Sequence, residues 1–121
     1  MEQSVVYEIK KGRVKSNKIF QIDNNSILSA GYGSIPKRIM IDKRLSIESK
    51  AIYSYLCSYA GGGCEAYPSI SRMVSDLAIS ENRFYRHFEY LIKLGYVRKH
   101  REVKENNLLG HNVYELVQVL E

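Results

Sequence analysis

The sequence predicts an α+β fold in which three core helices are closed by a C-terminal β-hairpin, with a further β-hairpin as an N-terminal extension. Three observations predict it. Two serine-capped helical stripes are separated by only two residues, a glycine stop leads straight into a basic extended run, and a second extended run follows a cluster of turn formers. Two helices with so tight a turn are a helix-turn-helix, and a hairpin directly after them makes a winged helix.

The helix pair lies in Pro68 to Val97. Ser69 suits the N-cap, because its hydroxyl accepts from a backbone N–H that the helix leaves orphaned. Ile70, Met73, Val74 and Leu77 then recur at helical spacing. Ala78 and Ile79 are too few for a loop, so the next helix starts at once. Ser80 caps it, and Glu81 puts negative charge where the helix dipole favours it. Phe84, His87, Phe88 and Leu91 share one face, which makes His87 a structural histidine. Gly95 sits where a left-handed stop is wanted, and Tyr96 to Arg101 leaves as a basic strand.

With Phe84, Phe88 and Leu91 committed to a core, Asn82, Arg83, Tyr85, Arg86 and Glu89 must point elsewhere. Asn and Arg near the start of such a helix can form paired bonds to base edges in a major groove. The same face also reads as ordinary solvated surface. The wing weighs on this choice. Asn106, Asn107, Gly110 and Asn112 are turn formers, and Val113 to Val119 alternates as a returning strand. Arg98, Lys99, His100, Arg101 and Lys104 on the hairpin could lie along a phosphate backbone. From Ser80 to Lys104 there are seven Lys or Arg against three acids. That surplus favours double-stranded DNA as partner.

At 121 residues the chain supports one modest core. Residues 1–34 are read as the extension and 35–121 as the winged-helix domain. Val5, Tyr7 and Ile9 alternate, and Ile19, Phe20 and Ile22 resume the pattern after Gly12, which makes a hairpin over 3–23. Residues 1–45 carry nine Lys or Arg and four acids, a surplus equal to the net charge of +5. Lys10, Lys11, Arg13 and Lys15 either contact DNA or protect a soluble sheet edge, and the second reading is preferred. Pro36 suits the first position of a short helix to Ile41. Ser46 caps a longer one with Ile47, Ala51, Ile52, Tyr55, Leu56 and Tyr59 as its buried stripe. Gly61-Gly62-Gly63 ends it as a linker, since no GK[ST] follows to make a phosphate loop. Cys57 and Cys64 lack metal-ligand spacing and are read as free thiols. No run reaches transmembrane length and no signal peptide opens the chain, so the expected location is cytoplasmic.

Residues 32–97 resemble the N-terminal helix-turn-helix domain of RepA-type and DnaD-like replication initiators from plasmids and phages of Gram-positive bacteria. The resemblance rests on Ile35-Pro36-Lys37, on Asp42-x-x-Leu45-Ser46-x-x-Ser49-Lys50-Ala51-Ile52-Tyr53-x-Tyr55, on Tyr67-Pro68-Ser69, and on Leu94-Gly95-Tyr96-Val97. It implies origin DNA binding, often as a dimer, with a separate C-terminal domain engaging the replication machinery. This chain ends at Glu121, directly after the wing, so it is either a fragment or lacks that domain. The resemblance places Asn82, Arg83, Tyr85 and Arg86 in the recognition helix. It puts Ser69, Ser71 and Arg72 on phosphate, and Arg101 and Lys104 among the wing contacts beside Lys99. Tyr85 either stacks or bonds a phosphate there, or belongs to the core beside Phe84.

Catalysis is not expected: the three histidines are far apart, and no G-x-S-x-G, H-E-x-x-H or P-loop is present. No metal and no cofactor are implied. Two rival functions stay open. One is a transcriptional regulator. The other is a protein-interaction module of the replication machinery, with Tyr7, Phe20, Ile22 and Tyr32 pairing the extension into a homodimer.

Overall fold

The computed structural model describes residues 25–120, and the hairpin expected over 3–23 lies outside them. The chain divides into two compact units, Met1–Ala30 and Gly31–Glu121. The described part of the first is a short 3-10 turn, Ile27–Ala30. Ser26 starts it, with its hydroxyl accepting from the Leu28 N–H and its carbonyl from the Ser29 N–H, each at 3.0 Å.

The second unit is a winged helix. Its elements are α1 (Lys37–Met40), α2 (Ile47–Ala60), β1 (Glu65–Ala66), α3 (Ile70–Leu77), α4 (Glu81–Lys93), β2 (Val97–Val103) and β3 (Leu109–Leu116). The antiparallel sheet runs β1-β3-β2, so the returning wing strand is central. Side chains from every layer meet in one core: Ile39, Ile52, Leu56, Met73, Phe84, Leu91, Val97 and Tyr114 are each at most 2% exposed.

Serine starts each of the three longer helices. Ser46, Ser69 and Ser80 accept from the N–H groups of Ser49, Arg72 and Arg83, three residues on in each case. α1 is tighter than expected, with Pro36 just outside it as an extended N-cap at ψ 135°. The α3–α4 turn is built on Ala78, which holds a left-handed φ of 56°. An L side chain pays about 1–2 kcal/mol there, and the fold holds it because the Ala78 N–H reaches Ser75 and the Ile79 N–H reaches Val74. α4 ends on Gly95 at φ 83°, with the Gly95 N–H on the Ile92 carbonyl and the Tyr96 N–H on the Leu91 carbonyl. These paired bonds swing the chain directly from α4 into β2.

Three expectations are corrected. The buried stripe of α2 is Ser49, Ile52, Tyr53, Leu56 and Cys57, while Ile47 is 81% and Tyr59 46% exposed. α2 is apolar around most of its circumference, so helical spacing fits either stripe. Polar partners choose between them. Ser49 Oγ donates to the His87 carbonyl at 2.7 Å on one side, and on the other the Tyr55 and Tyr59 hydroxyls donate to Asp76 Oδ2 at 2.6 and 3.2 Å. The linker after Gly63 contains β1, whose Ala66 pairs with Tyr114. β3 is Leu109–Leu116, not Val113–Val119, because its register is set by Val97 opposite Leu116 and Val103 opposite Leu109. Cys57 is buried, with its thiol pushed up to about 11 by that burial, and Cys64 is exposed; both are free.

Gly33 passes so close to the end of α2 that a Cβ there would overlap the Cys57 carbonyl oxygen. The segment before α1 therefore lies against α2 only because residue 33 has no side chain. Asp42 ties the α1–α2 turn to the segment that follows α4. Its carboxylate accepts from Arg44 Nε at 2.9 Å, from Arg44 Nη2 at 2.7 Å and from the Tyr96 hydroxyl at 2.6 Å. These bonds, Arg44 first, hold it well below the usual carboxylate range. A carboxyl whose folded pKa is depressed stabilises above its unfolded value, near about 4, and loses that contribution as pH falls toward the folded value. Asp42→Asn is therefore expected to flatten the acid limb of stability. Thermal midpoints from pH 6 downward should fall more steeply in the wild type, and parallel curves would refute this role.

Candidate nucleic-acid interface

α4 presents three distinct sides. Phe84, Phe88 and Leu91 face the core, with the Phe84 and Phe88 rings stacked at 5.2 Å. Asn82, Arg86, Glu89 and Lys93, at steps of three and four, lie opposite and are all exposed. Glu89 lies 3.8 Å from Lys93, whereas Asn82 and Arg86 enter no ion pair or side-chain hydrogen bond among the described residues. Of the four residues expected in the recognition helix, Asn82 and Arg86 are thus free on the outer face, in the first turns of a helix whose N-terminus is capped.

The flanks of α4 divide the remaining candidates. Tyr85 turns toward the wing, 43% exposed, with its ring edge-on to Phe84 at 5.6 Å. It is neither core nor fully free. Arg83 turns the other way, toward α2, and donates from Nη2 to Glu48 Oε2 at 3.1 Å. His87, one turn on, lies between helices: Nδ1 is 2.8 Å from Ser46 Oγ and Nε2 is 3.5 Å from Glu48 Oε2. It is the satisfied structural histidine expected from its face.

The two faces of the wing differ in charge, and the sheet register decides which bases matter. Val97, Lys99 and Arg101 stand opposite Leu116, Tyr114 and Asn112. Cross-strand partners share a face, so Lys99 and Arg101 continue the core face outward, beside Tyr114, whose ring meets Phe88 edge-on at 5.7 Å. Lys99 is unpaired among the described residues, and Arg101 Nε donates to the Gly110 carbonyl at 3.2 Å. On the other face Glu115 draws in Arg98 and His100, with Oε1 at 2.8 Å from His100 Nε2 and 3.8 Å from Arg98 Nη1. Within the run Arg98 to Arg101, Arg98 is therefore drawn to Glu115, whereas Lys99 and Arg101 stand on the face that Tyr114 shares. Lys104 opens the wing turn, with its carbonyl accepting from the Asn107 N–H at 2.9 Å and Asn107 at φ 62°.

Ser69, Ser71 and Arg72 are exposed at the start of α3. Ser69 Oγ already accepts from the Arg72 N–H at 3.1 Å, which leaves its own proton free to donate. Asn82 and Arg86 thus share the outer face of α4, Tyr85 stands on its flank, and Lys99 and Arg101 share the face of the wing that Tyr114 occupies. Ser69, Ser71, Arg72 and Lys104 belong to separate elements, and Arg83 sits on the α2 flank. Glu48 and Glu115 had not been singled out in the sequence. Glu48 carried one signal, an acid in the first turn of a Ser46-capped helix; Glu115 carried only its place in an alternating strand.

Among the described residues no group of three or more His, Cys, Asp or Glu is placed to hold a metal, and no helix is long and apolar enough to cross a membrane. The architecture defines a helix-turn-helix unit with a wing. A family described as helix-turn-helix domain matches residues 43–97, from just before α2 to the first residue of the wing, and this similarity suggests DNA as the partner. No curated protein and no solved structure matches the chain. Replication initiation is a narrower statement than the family match carries.

Proposed function

We propose that this chain binds double-stranded DNA sequence-specifically and without catalysis, and that it serves origin recognition in phage or plasmid replication. One observation carries the DNA reading: among the described residues Asn82 and Arg86 are unengaged on the outer face of α4, and Lys99 and Arg101 are exposed on the wing that directly follows it. In this reading α4 enters a major groove, with Asn82 and Arg86 toward base edges. Lys99, Arg101, Lys104 and Arg72 take phosphates, with Ser69 and Ser71 donating beside them and Tyr85 at the join. The origin assignment rests on the resemblance of residues 32–97 to replication initiators, which also implies a dimer; pairing through the N-terminal extension rests on its own residues Tyr7, Phe20, Ile22 and Tyr32.

A second reading, a protein-interaction module, has one observation in its favour. Val103, Leu108 and Leu109 near the wing tip are each more than 60% exposed. Titration of the purified chain against a pool of random duplexes at two salt concentrations, with the retained DNA sequenced, separates the readings. Enrichment of a motif, with affinity falling as salt rises, is the expected result. Lys99→Ala, Arg101→Ala and Lys104→Ala should each weaken all sequences alike, and each should reduce the slope of log affinity against log salt by about 0.9. Retention of no duplex at low salt would sink the DNA reading in favour of the interaction module.

A further inference from the structure

Arg83 is restrained twice. Its side chain lines a hollow of about 200 Å³ with Ile47, Ala51, Ile52, Leu77 and Ile79, and its guanidinium is held by Glu48 at 3.1 Å. Glu48 is itself fixed. It stands in the first turn of α2, where the backbone N–H groups, with Arg83 and His87, hold its carboxyl below the ordinary value. His87 closes the cluster from α4, its other nitrogen resting on the cap serine Ser46. An arginine has five N–H donors. One bond to Glu48 leaves a free adjacent pair at the tip, which is the fork that matches the two acceptors of guanine.

A free arginine at the start of a recognition helix meets phosphate as readily as base, and phosphate contacts carry no sequence information. A carboxylate on the neighbouring helix changes that competition. It fixes where the fork sits and repels the phosphate backbone from that spot. We propose that Glu48 is a positioning residue that acts through Arg83, so that preference for guanine at one position of the target depends on a side chain of α2. This rests on the DNA reading above and adds to it a determinant outside the recognition helix.

The test compares Glu48→Ala, Glu48→Gln, Arg83→Ala and the Glu48→Ala, Arg83→Ala double variant in the same duplex selection, with thermal midpoints measured alongside. A half-exposed ion pair limits the effect to about two- to five-fold. Glu48→Ala should reduce the preference for guanine over other bases by that factor at one position. That position should be the one at which Arg83→Ala also loses preference. Glu48→Gln retains an acceptor and should restore part of it. In the double variant Glu48→Ala should add nothing to the loss from Arg83→Ala. The proposal is overturned if wild type enriches a motif and Glu48→Ala leaves it unchanged, or if the two losses fall at different positions or add. A loss of midpoint that accounts for the whole binding change also overturns it. If wild type enriches no motif, the DNA reading fails with it, an outcome that needs no variant to recognise.

Discussion

The double substitution Asn82→Ala, Arg86→Ala is expected to erase preference at the base pairs those two side chains read, leaving only the preference owed to Arg83, with the fold intact. Each side chain can make a paired contact with a base edge, worth about 1–3 kcal/mol of discrimination, and contacts at separate base pairs are roughly additive. The loss in affinity for the preferred duplex should therefore be on the order of 2–6 kcal/mol, a factor of about thirty or more. Affinity for arbitrary duplex should fall far less, because Lys99 and Arg101 remain. Stability should hardly move: both residues are exposed on the face opposite the core, where substitutions usually stay within about ±0.5 kcal/mol. The measurement is enrichment from the random pool together with urea unfolding. A variant that still enriches the wild-type motif would remove α4 from the reading face, even with the winged helix intact.

That expectation depends on charge placement more than on charge count. The segment Ser80 to Lys104 carries four more bases than acids, yet the surplus is unevenly available. Arg83 is engaged by Glu48, Lys93 lies near Glu89, and Arg98 leans on Glu115. What stays open is Arg86, Lys99 and Lys104, with Arg101 tied by one nitrogen to a carbonyl. A partner that only sampled net charge would find little here, whereas one that met these particular side chains would find their charge open.

The features legible in the sequence are those that local chemistry decides. Ser46, Ser69 and Ser80 cap because a hydroxyl three residues before an orphaned N–H suffices, and Gly95 stops α4 because a left-handed residue suffices. The core face of α4 was equally legible, since the helix face opposite Phe84, Phe88 and Leu91 is the polar set Asn82, Arg86, Glu89 and Lys93. α2 was not, because apolar residues surround it and only partners distant in sequence, His87 and Asp76, choose its orientation. β3 failed for a related reason: its alternation continues past Leu116, and only pairing with β2 fixes the ends. On α4, the exposure of Asn82 and Arg86 on the face opposite the core followed from helical period alone. The engagement of Arg83 by a residue thirty-five positions earlier could not, nor could the capture of Arg98 and His100 by Glu115.

Phe84→Ala is the complement of the recognition-face double variant, since it alters the same helix from its other side. Phe84 is fully buried, stacks on Phe88 and meets Tyr85 edge-on. Through Phe88 it is joined to Tyr114, the wing residue opposite Lys99. Removing a buried phenyl ring costs about 3–5 kcal/mol, the lost transfer energy together with the cavity left behind. Small domains have about 5–15 kcal/mol in total, so the variant should unfold at markedly lower urea and be partly unfolded when warm. DNA binding should fall with it, but in a different way from the surface variant. The folded fraction should keep the wild-type motif, so enrichment in the cold should be weaker in amount and unchanged in sequence. Loss of the motif with full stability would instead mean that Phe84 acts at the interface. A midpoint like that of wild type would mean that the stack on Phe88 is not what holds α4 against the wing.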